Sequence, residues 1–214
     1  MAEYKIKVNT KPFDDDLKLY QRKEFTFVPG LNSLVGCNGS GKTTLIDCFL
    51  IPSLRKDKIE HYKYNDRRQG GSMLMDRMLN VDDDMYGLVR MYMSSEGERI
   101  VVGLEKVITA LPSFFKENKG KPTFLLLDAI DSGMSVDEIC EIKELLLDVV
   151  IPDAKNRFDI DLYVVIAANN YEWCNDDRIH NIDITTAKTL KFKSYEEYVD
   201  QIKASRTRKD KSRE

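Results

Sequence analysis

Long apolar runs are missing from this sequence, and so is an excess of either charge. No stretch approaches the ~18 consecutive apolar residues that a membrane helix needs, and the opening MAEYKIKVNT has no apolar signal core. The expectation is a cytoplasmic protein with no membrane insertion. The 33 basic residues nearly balance the 36 acidic ones, so the net charge of -3 supplies no global attraction for nucleic acid or a membrane. Cysteine is scarce: Cys37, Cys48, Cys140 and Cys174 show no CxxC and no metal-ligand spacing. That argues against a disulfide framework and for reduced thiols. His61 and His180 have no visible partners and read as surface residues. What remains, 214 residues of which 42% are hydrophobic, suffices for one ordinary domain with a real core.

Present instead is an alternation of apolar strands with helical patterns. Tyr4, Ile6 and Val8 alternate with polar residues and predict a half-buried strand. Phe25 and Phe27 lead into a second and residues 31–35 form a third, with a loop at 12–16 before them. A helix is expected from Thr43 to about Leu50, stopped near Pro52. Residues 55–72 read as an exposed irregular segment, and the methionine-rich stretch 73–93 receives no assignment. Apolar residues at 101, 104, 107, 108 and 111 predict an amphipathic helix over 100–111. After a loop, residues 123–127 form an apolar strand ending at Asp128. Ser135 and Glu138 make a capping box that opens a helix to about Val150. Residues 162–168 are a further apolar strand, 182–184 and 190–192 a closing hairpin, and 194–202 a helix. The basic tail 203–214 is expected to be disordered. Apolar strands alternating with helices predict an α/β fold with a mainly parallel sheet flanked by helices.

The strongest signal is Gly36-Cys37-Asn38-Gly39-Ser40-Gly41-Lys42-Thr43, a full match to GxxxxGK[ST] between an expected strand and an expected helix. Its glycines let successive amides turn toward a phosphate, and the helix starting near Gly41 adds its positive dipole end. Lys42 would neutralise the β/γ oxygens of ATP, and Thr43, followed by Thr44, would offer a hydroxyl to Mg²⁺. Cys37 reads as a small side chain tolerated within the loop.

The longer string GLNSLVGCNGSGKTTLI resembles the ABC ATPase superfamily, which spans transporter cassettes and the RecF and SMC chromosome-maintenance heads. The resemblance covers about residues 25–170. It implies a P-loop NTPase domain of ABC type over 1–202, with an N-terminal antiparallel β part and a small helical lobe at about 55–111. FLLLD at 124–128 resembles Walker B and implies that Asp128 helps to hold Mg²⁺. Met93-Ser94-Ser95-Glu96-Gly97-Glu98-Arg99 resembles the SxGE form of the family signature. Through it Ser95, Gly97 and Glu98 would reach ATP on a second subunit, which implies an ATP-dependent homodimer. Gln69 takes the place of the family's Mg²⁺-sensing glutamine, and the Ser132-Gly133-Met134 turn resembles the D-loop. Phe13 or Tyr20 is the candidate to stack on adenine.

Two positions depart from that pattern. Where the family carries the carboxylate that polarises the attacking water, this sequence has Ala129, whose methyl group accepts no proton. Asp131, nearby, is the candidate substitute. Where the family has a switch histidine, it has Asn169, which donates a hydrogen bond but carries no charge. The resemblance therefore implies a slow ATPase that uses ATP-dependent dimerisation as a switch, with nucleic acid or a nucleic-acid-bound protein as partner. The alternatives are a transporter-type cassette and an interaction module that never hydrolyses its ATP. The interval between the phosphate loop and the signature runs only from Lys42 to Ser94, so the head lacks the long coiled coil of SMC proteins.

Overall fold

A computed structural model describes residues 3–13, 18–65, 96–131, 133–167 and 169–211. Its centre is made of the apolar runs: β3 (Gly30–Val35), β5 (Thr123–Asp128) and β6 (Leu162–Ala167) are buried almost end to end. Only strands covered on both faces can carry such sequences. With β4 (Glu60–Asn65) and β7 (His180–Asp183) they form parallel pairs in a six-stranded sheet of order β4-β5-β6-β3-β7-β8. The short β8 (Thr189–Leu190) runs antiparallel to β7, which makes the expected closing hairpin. β1 (Tyr4–Lys7) and β2 (Glu24–Phe27) form a separate antiparallel pair.

Successive strand side chains point to opposite faces, so β5 divides itself between two cores. Leu125 and Leu127 enter one, and Phe124 and Leu126 the other. The first core is closed by α3 (Glu96–Glu117), whose Ile100, Leu104, Val107, Leu111 and Phe115 are buried. The second is closed by the β1–β2 pair and the helix that follows β3. There Phe124 stacks on its register partner Tyr163, ring centroids 4.4 Å apart.

The boundary expected at Pro52 does not hold. The first helix runs as α1 (Lys42–Thr44), a π-helical stretch Leu45–Leu50 and α2 (Ile51–Lys56), straight through Pro52. The Ile51 amide donates to the Ile46 carbonyl, five residues back. That wider turn makes room for a proline ring, which in a regular α-helix collides with the carbonyl four residues earlier. The same device recurs at Pro152, where α4 (Val136–Glu144), a π-helical stretch Leu145–Val150 and α5 (Ile151–Phe158) form one run. The helix thus continues past Val150. Its start is as expected: the Ser135 amide donates to Glu138 Oε2 at 2.8 Å, within a capping box.

The segment 55–72 is not wholly irregular, because β4 lies inside it. Tyr62 and Tyr64 of β4 pack against the first core, and Tyr64 fills the notch left by Gly103 of α3, where a Cβ would come within 2.3 Å of its hydroxyl. The two ends of the interval expected to form a small helical lobe, β4 and α3, therefore belong to the main body. Residues 66–95, including the methionine-rich stretch, lie outside the described residues.

The largest correction is at the C-terminus. α6 (Tyr195–Lys211) continues through most of the tail that composition marks as disordered. Tyr198 and Ser205 are buried, and Gln201 Nε2 and Arg208 Nη1 each reach Asp183 Oδ2 at 2.8 Å. A polar, basic sequence is held to the body by hydrogen bonds to specific atoms, which a mean hydropathy does not register.

Candidate nucleotide-binding site

β3 delivers the chain at the carboxyl edge of the sheet, where α/β folds bind their ligands. The loop after it turns on Gly39 and Gly41, whose φ angles of 72° and 98° favour glycine. Gly41 caps α1, and its carbonyl accepts a 2.9 Å bond from the Tyr20 hydroxyl. Tyr20 is itself fully buried, edge-on to Phe25 and Phe49. It braces the loop and cannot stack on adenine, which corrects that expectation for Tyr20. Phe13 remains half exposed. Gly36 is fixed by crowding, since a Cβ there would lie 2.3 Å from Ile184 Cγ2 and 2.7 Å from Ser40 Oγ.

Lys42 folds back over the loop. Its Nζ donates to the carbonyls of Gly36 at 2.7 Å and Cys37 at 3.4 Å, and to Asn169 Oδ1 at 2.8 Å. The side chain is nearly buried, and that burial pushes its pKa below the usual lysine value against the opposing pull of Cys37, Asp131 and Asp128. Thr43 Oγ1 donates to Asp128 Oδ1 at 3.0 Å, joining the loop to the buried end of β5. Asp128 Oδ2 lies 3.5 Å from Lys63 Nζ, which also pairs with Asp47. Lys63 escapes the sequence reading because β4 does. Its only signal was the alternation of EHYKYN, masked by charge.

The loops after β5 and β6 are wired to each other. Ala129 holds φ at 56°, a left-handed conformation uncommon for alanine, and its amide bonds the Ala167 carbonyl at 3.0 Å. Asp131 Oδ2 accepts the Asn169 amide at 2.6 Å, and the Tyr198 hydroxyl donates to the Asn169 carbonyl at 2.7 Å. Lys42, Asp131 and Asn169 therefore meet in one network, with Tyr198 of α6 added to it. α6 also touches the loop: the Cys37 amide donates to Ser205 Oγ at 3.2 Å, and Lys209 Nζ donates to the Asn38 carbonyl at 2.9 Å. None of these α6 contacts has a sequence motif.

Of the stretch that resembles the family signature, only the end is described. Gly97 and Glu98 fall in the first turn of α3, whereas Ser95, Gln69 and Ser132 of the D-loop turn lie outside the described residues.

The donor set fits a nucleotide with its metal. A buried ammonium ringed by neutral oxygens is satisfied far better by an anionic phosphate, and a hydroxyl beside a buried carboxylate suits a hard divalent cation. Sheet order, loop position and this pair of groups define a P-loop NTPase. The chain belongs to the AAA-domain family, whose model matches residues 15–214, and it is a small ABC/SMC-like ATPase head. No curated protein matches it. No helix among the described residues is long and apolar enough to cross a membrane.

Proposed function

We propose that this head binds Mg·ATP at residues 36–44, holds it through an ATP-dependent homodimer, and hydrolyses it slowly. Position 129 carries this reading. The phosphate loop keeps every group that binding needs, while the residue after Asp128 offers a methyl group. The candidate substitute, Asp131, commits one oxygen to the Asn169 amide, so it acts first as a positioning group for Asn169. Asn169 Oδ1 in turn holds Lys42.

When bound, Mg²⁺ would offset phosphate charge beside Thr43 and Asp128, with Gln69 as the glutamine ligand suggested by the family pattern. Lys42 would exchange its carbonyl partners for the β/γ oxygens. The amides of Gly39, Gly41 and Thr44 would take their share of the phosphates at the start of α1. Ser95, Gly97 and Glu98 would complete the site from the partner copy.

Nucleic acid, or a protein bound to it, is the partner class this reading favours. The exposed basic residues Arg206 and Lys211 of α6 lie in the same terminal stretch that meets the phosphate loop, and such a stretch suits a polyanion. Light scattering of the wild type with and without Mg·ATP, and of Ser95→Arg with it, tests the dimer. A dimer only in wild type with ATP is the expected result. A monomer in all three samples would overturn the composite site.

A further inference from the structure

We infer that α6 is a structural wall of the nucleotide site, in which Ser205 and Lys209 position the phosphate loop and Tyr198 positions Asn169. The inference rests on the nucleotide reading of the loop and adds three residues from a segment with no motif.

The three contacts share a feature that simple anchoring does not need. Each is made to main chain: Ser205 Oγ to the Cys37 amide, Lys209 Nζ to the Asn38 carbonyl and the Tyr198 hydroxyl to the Asn169 carbonyl. Main-chain contacts set the path of a loop directly. Attachment of the helix is already provided elsewhere, by Gln201 and Arg208 on Asp183. Positions 198, 201, 205, 208 and 209 recur at helical spacing, so one face of α6 carries both the anchors and the positioning groups.

The chemistry of the Asn38 contact bears on phosphate affinity. An ammonium on that carbonyl polarises the Asn38–Gly39 peptide and makes the Gly39 amide a stronger donor toward an anion. Lys209 also lies against the loop's turn, since a Cβ on Gly39 would meet its Nζ at 3.3 Å. Beneath the loop, Ser40, Lys18, Leu19, Thr185, Arg208 and Lys209 close on a cavity of about 10 Å³, which has room for about one water molecule. The outer face of the loop is thus packed against α6, and the loop is held in shape before any nucleotide arrives. Through Tyr198 the same helix fixes Asn169, so both walls of the phosphate site are tied to one element.

The test is titration of the full chain with a fluorescent ATP analogue and Mg²⁺, alongside the melting temperature of each nucleotide-free protein. Lys209→Met is expected to weaken binding by about tenfold, with the nucleotide-free melting temperature close to wild type. Lys209→Arg should recover most of the affinity, and Ser205→Ala should show a smaller loss of the same kind. Lys203→Met, a charge-matched control on the exposed side of α6, should bind as wild type. Equal or tighter binding by Lys209→Met would overturn the inference while leaving the nucleotide reading intact, and tighter binding would make α6 a restraint instead. A loss in Lys209→Met matched by a fall in melting temperature and not recovered by Lys209→Arg would also overturn it, as mere anchoring. If the wild type binds no ATP, the nucleotide reading fails and this inference with it.

Discussion

The loop after β3 and the loops after β5 and β6 end at the same edge of one sheet, yet they are equipped unequally. The first has its glycine turns, its buried lysine and a threonine bonded to Asp128. The second pair meets at Asp131 and Asn169 but presents Ala129 where a water-polarising carboxylate would stand. Binding and turnover are separable tasks in such a site, because one needs fixed donors and the other needs a base aimed at water. In the function proposed here, this chain equips the first task more completely than the second.

Removing the binding half should have the largest effect. Lys42→Ala deletes the buried ammonium and is expected to weaken ATP affinity by on the order of 10³-fold in a titration. Affinity within a few-fold of wild type would mean that the loop is not the nucleotide's principal holder. Restoring the hydrolytic half is the complementary change. Ala129→Glu should raise the single-turnover rate by on the order of 10²-fold, the usual contribution of a general base. The left-handed backbone at 129 already carries a Cβ, so the longer side chain adds little backbone cost. An unchanged rate in a folded variant would show that position 129 is not what limits hydrolysis.

The loop and Asp128 were legible because their chemistry is local: a phosphate needs several amides from consecutive residues, and a motif of that density survives in sequence. The central strands were legible because they are apolar on both faces. β4 was hidden because Lys63 is half of an alternating strand pattern and its charge is balanced by Asp47 and Asp128, which are distant in sequence. α6 was hidden for a related reason. Its buried residues are a tyrosine and a serine, and its order comes from Asp183, the phosphate loop and Asn169. Pro52 misled in the opposite direction, since a π-helical turn absorbs it, as another absorbs Pro152. Local propensity gives way wherever tertiary partners or a change of helix type answer the backbone's needs.

The most direct test of the account is a paired measurement on wild-type protein: equilibrium ATP binding with Mg²⁺, and steady-state turnover on the same preparation. The account predicts saturable binding with turnover well below about 1 per second, the low end of common enzyme rates. Turnover above that rate would contradict it, because a site with Ala129 after Asp128 would then hydrolyse ATP as readily as it holds it.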